Sequence, residues 1–136
     1  LCLFEGTNVS VGRGTALQFQ VFGSPFLEHA DYDFKFTPTP NVGAKYPKHE
    51  SKICKGLHLK NHPRLSHLNL KWLIDAYKNT GNKSEFFNPF FTKLAGVKRL
   101  QQQIEKGWSA DQIRESWKDD LEKYKKLRTP YLLYPL

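Results

Sequence analysis

The spacing of apolar residues changes along the chain, and the change divides it into two halves. Leu17, Phe19 and Val21 alternate with polar Gln18 and Gln20 until Phe22, which predicts a half-buried strand ended by Gly23-Ser24-Pro25. Asp33-Phe34-Lys35-Phe36 alternates again before Pro38 and Pro40 stop it. Ile53–Leu59 predicts a strand with Leu57 and Leu59 on one face and His58 on the other, and the apolar run Leu1–Phe4 predicts a further short strand. Later the period lengthens. Leu70, Leu73, Ile74 and Tyr77 fall on one helical stripe with Gly81 as a stop, and Val97, Leu100 and Ile104 form a shorter stripe ended by Gly107. Ser109-Ala110-Asp111-Gln112 has the form of a capping box. Behind it Ile113, Trp117, Leu121 and Tyr124 keep one face apolar as far as Pro130, after which Tyr131–Tyr134 is extended. Strands first and helices later predict an α+β fold: a mixed or antiparallel sheet from the first half packed against helices of the second half.

Composition narrows the class. The 136 residues are 39% hydrophobic, enough for one core, so 1–136 is expected to form a single domain. No apolar run approaches the roughly 20 residues that span a bilayer, and no membrane partner is expected. There is no Met and no leader-like segment, and the chain opens inside an apolar run, as a piece of a longer chain would. The net charge of +8 is uneven: residues 1–44 carry −2, whereas 45–64 hold six Lys/Arg against Glu50. A block of that kind suits phosphates, an anionic cell-wall polymer, or plain solvation. Cys2 and Cys54 both sit in apolar surroundings and are expected to be unpaired.

The chemistry concentrates in Glu5–Thr15. Gly6, Gly12 and Gly14 permit unusual backbone angles and close approach, among Glu5, Asn8, Ser10, Arg13 and Thr15, a donor and acceptor set suited to a polar ligand. A tight connection in which Glu5 pairs with Arg13 and the glycines only make turns is equally compatible. A dinucleotide fingerprint fails, because the third glycine is missing and a strand follows. A glycosidase pair within the chain would have to join Glu5 to Glu28, Asp31 or Asp33, and nothing in the spacing joins them. Cys54, His58, His62 and His67 lack the matched halves of a zinc site. Phe86, Phe87, Phe90 and Phe91 suit core filling better than a stacking platform. The stretch 37–50, with three prolines and one glycine, is expected to be a long surface loop of the kind that often carries function.

Leu3-Phe4-Glu5-Gly6-Thr7-Asn8-x-Ser10-x-Gly12-Arg13-Gly14-Thr15, followed by Phe19-x-x-Phe22-Gly23-x-Pro25, closely resembles the exo-β-N-acetylmuramidase family. The resemblance continues through Cys54-x-Gly56-Leu57, Leu94-Ala95-Gly96, Leu100-x-x-x-Ile104, Ser116-Trp117 and Tyr131-Leu132-Leu133-Tyr134. Phe26 stands where relatives often place Trp. The resemblance implies a secreted or periplasmic bacterial enzyme that releases N-acetylmuramic acid from the non-reducing end of peptidoglycan fragments. It implies a Rossmann-like upstream domain that holds the catalytic glutamates, with this chain as the smaller C-terminal domain and one wall of the cleft between them. No position here inherits a catalytic role, and no cofactor or metal is implied. Glu5, Asn8 and Arg13 are the expected sugar or lactyl-carboxylate contacts, with Ser10 and Thr15 in support. The expected partners are muramic-acid saccharides and the upstream domain, not nucleic acid. The rival class is a non-catalytic glycan- or nucleic-acid-binding module that uses segment 45–64.

Overall fold

The computed structural model describes residues 1–27 and 31–134. Three antiparallel strands, β1 (Val21–Ser24), β2 (Phe34–Phe36) and β3 (Cys54–His58), form one sheet in the order β1-β3-β2. The helices follow in the second half: α1 (Lys71–Asn79), α2 (Phe90–Ala95), α3 (Arg99–Glu105), α4 (Ala110–Glu115) and α5 (Lys118–Arg128). This is the expected α+β arrangement, and the sheet is antiparallel rather than mixed.

Pleating sends the two faces of the sheet to different neighbours. Phe22 is fully buried, stacks on Phe4 with ring centroids 4.8 Å apart, and meets Trp72 of α1 at 5.9 Å. Leu57 and Leu59 lean on that same core, as their shared parity predicts. On the other face Val21, Phe36 and Cys54 make a small separate cluster, and Phe34 sits edge-on to His58. Gly23 and Gly56 are register partners at the centre of the sheet. A Cβ on Gly56 would lie 1.8 Å from the Phe22 carbonyl oxygen, so the strands can approach this closely only because the side chain is absent.

The helices close the main core from above. Leu70, Leu73 and Ile74 are buried by α1, Leu100 and Ile104 by α3, and Ile113 by α4. Both halves of the Ser109 capping box form: Gln112 N donates to the Ser109 hydroxyl, and Ser109 N donates to the Gln112 side chain. Phe86 and Phe91 are fully buried and Phe87 joins their cluster, while Phe90 stays exposed, so the aromatic group fills core.

Four expectations need correction. Leu1–Phe4 is not a strand: Cys2–Gly6 is a 3-10 helix, in which Phe4 N donates to Leu1 O and Thr7 N to Phe4 O. A four-residue apolar run has no period to tell the two apart. The strand expected from Leu17 starts only at Val21, because Phe19 takes a φ of 58° and donates its N–H to Val11, which bends Leu17–Gln20 into a turn. The single helix expected from Ser109 to Pro130 is broken between α4 and α5. The Ser116 hydroxyl donates to Ile113 O and accepts from the Gln103 side chain, a local bond that competes with the helical ladder. The final segment begins as a second 3-10 turn, Thr129–Tyr131; Leu132 is extended and a bend follows at 133–134. Helix α2 has no counterpart in the sequence reading.

Candidate functional site

The glycine-rich run is irregular, but nearly every polar group in it is engaged. The Thr7 hydroxyl donates to Phe4 O at 2.8 Å and accepts from Val9 N, and Asn8 N donates to Phe86 O. Ser10 exchanges both backbone hydrogen bonds with Gly23, which ties the run to the free edge of β1. Gly12 and Gly14 turn the chain at φ values of 80° and 81°, a region that side chains disfavour. The Thr15 hydroxyl donates to Gly12 O at 2.7 Å and accepts from Leu17 N, so its capacity serves the turn.

Arg13 leaves this turn toward solvent. Its Nε donates to Glu5 Oε1 at 2.9 Å, its Nη2 lies 2.7 Å from the same oxygen as an ion pair, and its guanidinium lies 5.2 Å from the centre of the Phe19 ring. The side chains of Arg13 and Glu5 remain 50% and 26% exposed, which leaves both accessible to a ligand. The pairing and the glycine turns anticipated as one reading therefore exist, and they hold the two charges at a surface rather than sealing them.

The loop 37–50 packs against this run. Thr39 N donates to Gly14 O at 2.8 Å, and a tight turn at Asn41–Ala44 projects Val42 and Tyr46 outward. Lys48 reaches inward and its ammonium donates to the carbonyls of Thr7 and Val9. Its neighbour His49, at a φ of 60°, bonds the Asn8 carbonyl through Nε2, which must carry the proton because a carbonyl can only accept. Three consecutive carbonyls are thus clasped by two consecutive side chains about forty residues away in sequence. Burial lowers the pKa of both Lys48 and His49 from their ordinary values.

Between run and loop lies a cavity of about 300 Å³, lined by Glu5, Ser10 and Arg13 on one side and by Lys45, Tyr46 and Lys48 on the other. Three cations face one carboxylate there, which favours an anionic or strongly polar ligand. Of the expected site residues, Glu5, Ser10 and Arg13 converge on this cavity, while Asn8 and Thr15 do not line it. Both polar atoms of the Asn8 amide are sealed from solvent without a hydrogen-bond partner among the described residues, an arrangement that calls for a functional or structural reason. Asp31 and Asp33 are exposed and do not line the cavity, and Glu28 lies outside the described residues.

The basic segment 45–64 does not run as one stripe. Lys45 and Lys48 belong to the cavity, Lys55 to β3, and Lys60 and Arg64 to the irregular segment that follows. Two of the segment's six cations, Lys45 and Lys48, thus share the cavity with Glu5 and Arg13. Cys54 is buried, its thiol pushed up to about 12 by burial, while His58 packs on Phe34 and His62 on Trp72. Neither cysteine is in a disulfide. Among the described residues, no helix is long and apolar enough to cross a membrane.

Residues 1–134 match the C-terminal family of the exo-β-N-acetylmuramidase NamZ. The chain belongs to this family. It is 30% identical to the peptidoglycan β-N-acetylmuramidase NamZ of Bacillus subtilis, over 97% of the chain and 35% of that relative. It also superimposes on the crystal structure of a DUF1343 family protein from Bacteroides fragilis with a TM-score of 0.84 and 47% identity, covering 98% of this chain and 38% of that one. The NamZ-family chain thus spans little more than a third of the length of these relatives. Lys48, His49 and Tyr46 were missed as site residues. The loop and its charge were visible in sequence, but its contact with the glycine run is not, because no local pattern encodes a pairing across some forty positions.

Proposed function

We propose that residues 1–136 are the single C-terminal domain of a two-domain, periplasmic or extracellular peptidoglycan exo-β-N-acetylmuramidase. In this reading the Glu5–Arg13 cavity forms one wall of the cleft in which N-acetylmuramic acid is released from the non-reducing end of cell-wall fragments. The observation that carries it is the exposed Arg13, fixed by flanking glycines and by Glu5 at the rim of a cationic cavity in a chain of this family. Glycoside hydrolysis needs two carboxyl groups flanking the scissile bond. Glu5 is the only carboxylate among the described residues that line the cavity and is committed to Arg13, so in this reading the catalytic acids belong to the upstream Rossmann-like domain and this domain supplies binding.

The test is paired. Arg13→Ala and Arg13→Lys in the full-length protein are compared by thermal unfolding and by kcat/KM on a muramic acid glycoside. An exposed ion pair contributes at most about 1 kcal/mol to stability, so melting should scarcely move. Losing a charged hydrogen bond to the lactyl carboxylate should lower kcat/KM about ten- to a hundred-fold. Lys should restore little, because a point charge does not reproduce the guanidinium fork. Early melting with full activity in the folded fraction would make Arg13 structural.

A further inference from the structure

The Lys48 ammonium carries three N–H donors and no acceptor. Two go to the carbonyls of Thr7 and Val9, and the third has no partner among the described residues. Carbonyls satisfy hydrogen bonds but do not neutralise a charge. The nearby carboxylate, Glu5, is already engaged by Arg13 through the Nε hydrogen bond and the Nη2 ion pair, and Arg13 Nη1 is likewise unpartnered among the described residues. Lys48 is half-buried, and burial disfavours its charged form while Glu5 partly offsets that cost. The charge strengthens the two carbonyl bonds, but with Glu5 shared with Arg13 it is left incompletely compensated. An anion entering the cavity would complete the set.

Resting on the reading that this cavity takes N-acetylmuramic acid, we propose that Lys48 is a specificity-determining residue. Its third N–H, beside Arg13, receives the lactyl carboxylate and so separates N-acetylmuramic acid from N-acetylglucosamine, which lacks that group. Lys48 then has two tasks: it holds the Thr7–Val9 backbone in place and presents a cation to the ligand.

Dissociation constants for both sugars, measured by calorimetry on the full-length protein and on Lys48→Gln, separate these tasks. Gln offers two N–H donors for the two carbonyls but neither the charge nor the third donor. The unsubstituted protein should prefer N-acetylmuramic acid. Lys48→Gln should bind it about ten- to a hundred-fold more weakly and bind N-acetylglucosamine as before. Equal weakening toward both sugars would reduce Lys48 to a backbone clasp and overturn the inference. A preference retained by Lys48→Gln would overturn the inference while leaving the proposed function intact. Failure of the unsubstituted protein to bind N-acetylmuramic acid would overturn both. If Lys48→Gln does not fold, the ε-CH₂ NMR signal of Lys48 in the unsubstituted protein decides. It should shift with N-acetylmuramic acid and not with N-acetylglucosamine, and a signal indifferent to the acid overturns the inference.

Discussion

The glycine-rich run and helix α5 invert the usual link between regular structure and burial. The run is irregular, yet Thr7, Val9, Ser10 and Val11 are all but fully buried. Helix α5 is regular over eleven residues and buries none of them. Its apolar positions, Leu121, Tyr124 and Leu127, stand at least half exposed, and its links to the body include the Arg99–Asp120 ion pair and the half-buried Trp117 at its start. A backbone without periodic hydrogen bonds can be buried only if each polar group finds a specific partner, and the run meets that condition almost everywhere. A helix satisfies most of its backbone hydrogen bonds within itself, so it does not need distant residues to partner its polar groups. Irregular segments therefore depend on distant residues, while regular ones need not.

That contrast can be broken from either side. The largest effect should come from the pinned half: Gly56→Ala places a Cβ against the Phe22 carbonyl and the Gly23 backbone, where nothing flexible can yield. A loss of about 4 kcal/mol or more, or failure to fold, is expected on chemical denaturation. An ordinary small loss would mean that the strands can move apart and the run is not held by the sheet. The same stripe of apolar residues then gives a graded pair. Ile113→Ala in α4 removes a fully buried side chain and should cost about 2–5 kcal/mol. Leu121→Ala, two turns further along, should stay within about 0.5 kcal/mol in this chain. Equal costs would show that α5 is packed in solution and that its exposure is misread.

The sequence made the α+β order, the strands at Phe34–Phe36 and Cys54–His58, helix α1 and the Ser109 capping box legible, because each rests on local spacing. It failed where local signals were too short, at Leu1–Phe4, or where a single side chain overrode the period, at Ser116. In the candidate site the family motif pointed to Glu5, Ser10 and Arg13, which line one cavity. Lys48 and His49 were hidden for a physical reason: their partners are backbone carbonyls, which leave no mark on the identity of Thr7, Asn8 or Val9.

The most direct test of the central claim is an NMR titration of the full-length, ¹⁵N-labelled protein with N-acetylmuramic acid. If the cavity between run and loop is the ligand wall, amide shifts should cluster at Glu5, Ser10, Gly12–Gly14 and residues 43–48, with α5 unmoved. Shifts confined to α5 or to residues 60–68, with none between Glu5 and Gly14, would contradict it.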